Sequence, residues 1–170
     1  MKRILTVTGH RPSKLGKELY NWRTTESEQY INTFINQIHN YYVDHGELIC
    51  RSGMALGVDT MFAIAALRLK KRGYNIELEC CIPCSNHSSR WLPDSVKVYN
   101  QILEHADKIT FVSNKPYSPT CMQDRNKYMV NGCDFVLAIW DGTPGGTSNC
   151  VSYAKSQGKQ INIINPNKII

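Results

Sequence analysis

Leu48-Ile49-Cys50-Arg51-Ser52-Gly53-Met54-Ala55-Leu56-Gly57-Val58-Asp59, running on to Gly73, contains the transition that decides the fold. Leu48–Arg51 is a short apolar run of strand type. Two glycines then punctuate a bend. From Val58 to Arg72 the pattern changes: Val58, Met61, Phe62, Ala65 and Leu69 recur at three- and four-residue spacing, the stripe of an amphipathic helix. Gly73 is a helix stop. A strand has turned through glycine into a helix.

The same alternation extends in both directions. Strand-like runs occur at Ile4–Thr8, Ile76–Ile82, Lys108–Val112, Phe135–Ile139 and Gln160–Ile164. Their near-continuous apolar character predicts strands covered on both faces. A helical stripe of Ile31, Phe34, Ile35, Ile38, Tyr41 and Tyr42 lies within Glu26–His45. Further helices are expected from about Pro93 to His105, Thr120 to Asn131 and Ser148 to Gln157, with Pro93 suited to a first turn and Gly158 to a stop. The order βαβαβαβαβαβ predicts an α/β fold: a doubly wound, mostly parallel sheet of about six strands with helices on both faces. Arg11–Thr25 reads as one long irregular segment over the ligand edge.

Composition narrows the possibilities. The 170 residues are 42% hydrophobic and 20% charged, an ordinary globular balance that predicts one domain over residues 1–170. No run of about 18 apolar residues suggests a membrane span, and the N-terminus lacks the pattern of a secretory signal, so a cytoplasmic protein is expected. The net charge of +6 suits an anionic ligand but is too mild to point to nucleic acid. The densest basic cluster, Arg68, Lys70, Lys71 and Arg72, reads as a solvated helix end. Seven cysteines, an odd count falling partly in apolar runs, predict buried free thiols. Cys81-Ile82-Pro83-Cys84 has no second ligand pair and no helix-opening context, so neither metal nor redox chemistry is expected, and no cofactor is assigned.

In such sheets ligands bind beyond the carboxyl ends of the strands. The polar residues collect there: Gly9, His10 and Arg11 after the first strand; Ser52, Gly53, Met54, Gly57 and Asp59 after the second; Arg90 and Trp91 after the third. After the fifth come Asp141, Gly142, Thr143, Gly145, Gly146, Thr147 and Ser148. The bends after strands two and five lead into helices, whose unpaired amides and partial positive charge favour phosphate. They are expected to converge on one anion pocket. Neither bend is a Walker loop or a GxGxxG turn, which disfavours a nucleoside triphosphatase and a dinucleotide dehydrogenase. Arg11, Arg90 and Arg125 are candidate phosphate clamps or surface ion pairs. Asp59 is a ribose ligand, a general base or a helix-dipole partner. Trp91 and Trp140, near strand ends, are candidate base-stacking residues; Trp140 extends a buried strand, so core packing is the favoured role for it.

Four ordered segments, TGHRP (Thr8–Pro12), SGMALGVD (Ser52–Asp59), MQDRNKYM (Met122–Met129) and WDGTPGGTSN (Trp140–Asn149), resemble the SLOG superfamily and, within it, small bacterial and phage proteins. The resemblance implies a Rossmann-like sheet that binds nucleotides or nucleotide-derived molecules such as ADP-ribose. The superfamily includes the Lonely Guy phosphoribohydrolases, DNA-processing protein A and sensors of NAD-derived signals. Similarity to the Lonely Guy helix motif implies a ribose-phosphate role for Arg125. Their catalytic glutamate would fall near Cys150–Ser152, where this chain has no acid. The expectation is therefore a sensor or sequestering protein. The alternative is an N-glycosidic-bond hydrolase using Asp59 or Asp141 as its catalytic acid. A small-molecule nucleotide is the expected partner, with no membrane and a possible homo-oligomer; nucleic acid is not expected.

Overall fold

Residues 1–169 are described by a computed structural model. Strand β1 (Arg3–Gly9) divides its side chains between two cores. Leu5 and Val7 enter the larger core, against helices α2 (Thr25–His45) and α3 (Val58–Lys71). Ile4 packs on the smaller one, with Val130, Cys133, Val136, Cys150 and Ala154 from α5 (Cys121–Asn131), β5 (Phe135–Ile139), α6 (Gly146–Ser156) and the loop into β5. The α2 stripe buries Ile31, Phe34 and Ile38 completely, and Phe34 meets Phe62 of α3 edge-on at 5.7 Å. Each such side chain contributes about 1.5–3 kcal/mol, so these helices hold their face of the sheet firmly.

The remaining elements are β2 (Leu48–Ser52), β3 (Ile76–Ile82), α4 (Pro93–His105), β4 (Lys108–Phe111) and β6 (Gln160–Ile164). All six strands are parallel, in the order β4-β3-β2-β1-β5-β6. The chain builds outward from β1 to β4, then crosses back through α5 to β5 on the other side of β1. This reversal is the switch point where such sheets open a crevice. It sets the carboxyl ends of β1, β2 and β5 side by side.

Two strands are registered by the same device. Asp134, entering β5, donates its amide to Ile4 O (2.9 Å) and accepts the Ile4 amide on its carboxylate (2.8 Å). Asp107, entering β4, does the same with Leu78 (2.9 Å each way). A buried ion pair, Arg51–Glu79 (2.7 Å), adds a polar tie across β2 and β3. Glu79 also accepts the Thr110 and Tyr128 hydroxyls (2.7 and 2.8 Å), reaching β4 and α5. Burial raises the Glu79 pKa, but the bonds from Arg51, Thr110 and Tyr128 outweigh it and hold the carboxyl below its usual range.

Three expectations change. The edge strands β4 and β6 are largely exposed, because each has a neighbour on one side only and incomplete helix cover. Helix α6 begins at Gly146 rather than Ser148, since Gly145 (φ 143°) completes the turn earlier. The segment after β1 is partly ordered as α1 (Pro12–Leu15) and a 3-10 turn at Lys17–Tyr20. All seven cysteines are free and buried, and no helix among the described residues is long and apolar enough to cross a membrane.

Candidate ligand-binding site

A cleft of about 760 Å³ opens at the carboxyl edge. The β1 loop gives it Arg11, Pro12 and Ser13, the β2 bend Ala55 and Leu56, and the β3 loop Cys84, Asn86, His87, Ser89, Arg90 and Trp91. Tyr20, Tyr117 and Met122 add to its lining. Arg3, Arg51 and Arg68 are paired with carboxylates. Arg11 and Arg90 are exposed and have no such partner among the described residues, so the cleft carries uncompensated positive charge.

One wall is a fixed aromatic cluster. His87, Trp91 and Tyr99 meet edge-to-face, with ring centroids 5.0, 5.2 and 5.7 Å apart. Burial, with help from the charges of Arg125 and Arg11, pushes the His87 pKa down to about 3. The ring is therefore neutral at physiological pH, part of an apolar wall rather than a third cation.

The bend after β2 turns inward. Met54 is fully buried and has a left-handed backbone (φ 59°). Its amide donates to the Ser52 hydroxyl (3.1 Å), and the Ala55 amide donates to the Asp59 carboxylate (3.2 Å). Ser52 in turn donates to Asp59 O (2.8 Å). Arg125 is 5% exposed; its guanidinium donates to Gly53 O and, at 2.9 Å, to Asn126. A Cβ at Gly53 would stand 2.7 Å from that guanidinium, which explains the glycine. Burial raises the Asp59 pKa; Arg125, the Ala55 amide and Arg11 oppose the rise without cancelling it. Ser52, Gly53, Met54, Asp59 and Arg125 are thus gathered in one buried polar knot, and none of them lines the cleft.

The bend after β5 faces outward. Asp141, Gly142, Gly145 and Gly146 are exposed, and Thr143 and Ser148 half-buried, while Thr147 is buried. Asp141 accepts the Thr143 amide (3.0 Å), the Thr143 hydroxyl (2.5 Å) and a bond from His10 Nε2 (2.9 Å). The Thr143 hydroxyl and amide, then His10, hold the Asp141 carboxyl well below the usual range. Lys14 reaches the same Thr143. Trp140 Nε1 donates to Thr143 O (2.8 Å), so this tryptophan braces the bend as well as ending β5. Gly9 backs onto α3, where a Cβ would strike Val58 at 2.6 Å. Among the described residues no side chain caps α6.

The two bends share one edge, on either side of β1, but no residue from 140 to 148 lines the cleft. Of the expected ligand residues, Arg11, Arg90 and Trp91 come together around it. His10, Asp141 and Thr143 form a separate cluster. Asn86, His87 and Ser89 share the loop after β3 with Arg90 and Trp91; Tyr20 and Tyr117 have no sequence signal beyond residue type. Among the described residues, no three His, Cys, Asp or Glu side chains gather as metal ligands. Burial raises the pKa of Cys81 and of Cys84, whose thiol also feels Cys121, so the CxxC thiols stay protonated.

The family model described as the YspA SLOG family matches residues 5–169. The chain belongs to this family. It is 28% identical to a UPF0398 protein of Halalkalibacterium halodurans, over 98% of this chain and 90% of that one. It is 33% identical to the SPbeta prophage-derived protein YoqJ of Bacillus subtilis, over 61% of this chain and 67% of that one. Its fold resembles DNA processing protein A from Streptococcus pneumoniae (TM-score 0.62, 16% identity, 95% of this chain) and from Helicobacter pylori (TM-score 0.65, 16% identity, 98% of this chain). The chain spans half of the former and 70% of the latter. The H. pylori protein binds single-stranded DNA. This overturns the expectation that nucleic acid is not a partner. That expectation leaned on mild net charge, whereas single strands are held by local cations and stacking rings, which a near-neutral protein can also concentrate in one groove.

Proposed function

We propose that the chain binds a nucleotide or nucleotide-derived molecule in the cleft at the carboxyl edge, as a sensor or sequestering protein. One observation carries this: two arginines without carboxylate partners share the cleft with a fixed aromatic wall. Guanidinium groups pair bidentately with phosphate oxygens, and an aromatic face accepts a base. The cleft volume suits one small molecule, since such sites run about 300–1,000 Å³. The uncapped amides of α6, beyond the His10–Asp141 contact, are a second anion contact in this reading. Binding is favoured over N-glycoside cleavage because Asp59 is tied to the Ala55 amide and Asp141 to Thr143 and His10.

A second reading places the same nucleotide within a single DNA strand; the likeness to the H. pylori protein favours it. Calorimetric titration with AMP, ADP, ADP-ribose and an oligothymidylate separates the two. A small-molecule site gives a saturable isotherm with a nucleotide. A strand site gives oligonucleotide affinity that falls steeply with salt. In either case Arg11→Ala and Arg90→Ala each weaken binding about 10- to 100-fold, the worth of a charge-assisted hydrogen bond. Wild-type affinity in both variants removes the proposal.

A further inference from the structure

The outer edge of β4 is unpaired among the described residues. Val112 donates its amide to Ile82 O (2.9 Å), so alternation turns the inner amides of β4 at Lys108 and Thr110 toward β3 as well. Ile109 and Phe111 then present their N–H and C=O groups outward. Their side chains share the sheet face of Cys80 and Ile82, through the register Cys80↔Ile109 and Ile82↔Phe111. They are 41% and 52% exposed, whereas Cys80 and Ile82 are buried. An open strand edge with two large apolar side chains is a pairing surface.

The opposite edge is built differently. On the same face β6 carries Gln160, Asn162 and the half-buried Ile164, and Asn162 donates to Gln37 of α2 (3.1 Å). On its other face β6 exposes a single large apolar side chain, Ile163 (43%), whereas β4 exposes two on one face.

We infer that β4 is the homodimer interface of this protein, joining antiparallel to β4 of a second copy about a two-fold axis through Thr110. The occupant follows from self-complementarity. With Thr110 opposite Thr110, Ile109 of each copy lies opposite Phe111 of the other. These are the residues whose amides and carbonyls face outward, so the two pairs close four hydrogen bonds. Aliphatic–aromatic cross-strand pairs form on one face twice over. The only charge on the strand, Lys108, comes to lie four residues from its symmetry mate, about 13 Å along the strand, beyond the screening length in physiological salt. A register centred on Ile109 also pairs outward-facing groups, but it sets Phe111 opposite Asp107 and leaves Ile109 opposite its own mate as the one apolar pair. An isologous contact of this kind closes at two copies and does not propagate into fibres. It also points the two carboxyl edges, and hence the two clefts, in opposite directions.

Sedimentation equilibrium of the full chain tests this, with Ile109→Lys and Phe111→Lys as variants. The wild type is expected to be a dimer, and each variant to raise its dissociation constant at least about thirtyfold, the loss of one interface anchor. Circular dichroism confirms that the variants remain folded. Crosslinking tests the register independently: Thr110→Cys, oxidised with glutathione disulfide, should give a covalent dimer, and Lys108→Cys should not. A monomeric wild type, a dimer that survives both lysine substitutions in folded protein, or crosslinking through Lys108→Cys instead of Thr110→Cys overturns the inference.

Discussion

The bends after β2 and β5 are read from sequence as two versions of one device, a glycine turn that opens a helix and offers amides to phosphate. Folding separates them. At 52–59 the amides of Met54 and Ala55 are consumed by Ser52 and Asp59, the Gly53 carbonyl is bound by Arg125, and the segment is buried. At 141–148 the polar contacts gather on Asp141, and the glycines stay open to solvent. One bend has become architecture, while the other stays open to solvent; among the described residues, neither α3 nor α6 carries a side-chain cap at its first turn. A glycine turn before a helix therefore marks where the backbone bends tightly, and only the neighbouring elements decide whether its amides are spent within the protein. Here the decisive neighbour is α5, which delivers Arg125 to the backbone of the first bend, whereas the segment after β1 brings His10 and Lys14 only to side chains of the second.

Arg125 accordingly offers the most damaging way to break this contrast. Arg125→Met leaves the Gly53 carbonyl buried without its donor and Asp59 without its cation, at a cost of about 2–4 kcal/mol. Urea denaturation should show this loss, and Thr143→Val in the second bend should leave the midpoint almost unmoved. Equal losses would mean that both bends are structural. A glycine pair sharpens the same point with a smaller effect. Gly57 has φ 88°, and a Cβ there would meet Pro12 Cδ at 2.8 Å, whereas a Cβ at Gly146 meets nothing within 4 Å. Gly57→Ala is expected to destabilise by about 2 kcal/mol through strain at a left-handed position. Gly146→Ala should stay within about 0.5 kcal/mol. Thermal melts of the two variants give the comparison directly.

The order of strands and helices was legible because periodicity is a short-range signal: the stripe from Ile31 to Tyr42 and the runs at Ile76–Ile82 and Phe135–Ile139 declare their elements locally. The exposure of β4 was not, since Lys108–Val112 looks as apolar as a central strand and its edge position depends on which strands flank it. The candidate site divides in the same way. Arg90 and Trp91 were found because they lie in the polar loop that joins β3 to α4. Tyr20 and Tyr117 reach the cleft from loops far apart in sequence, and nothing local marks them. Arg125 was recognisable by its motif, but a motif specifies a residue type and not a direction. Its guanidinium turns inward to Gly53.

The smallest effect is one of pH, and it has opposite signs at the two bends. Asp59 has a folded pKa raised above 3.8, chiefly by burial. Just above 3.8 the folded chain binds more protons than the unfolded one, so this group lowers stability as pH rises from 3.8 through the folded value. Asp141 has a folded pKa below 3.8, held there by the Thr143 hydroxyl and amide and by His10. It contributes stability above 3.8 that is lost as pH falls toward the folded value. Urea midpoints measured from pH 3 to pH 7 should therefore diverge. Relative to wild type, Asp59→Asn gains stability as pH rises and then levels off. Asp141→Asn differs from wild type at neutral pH, and the difference shrinks as the solution becomes acidic. Parallel curves for both variants would show that neither carboxylate feels the environment described here. The same sign in both would erase the distinction between an inward and an outward bend.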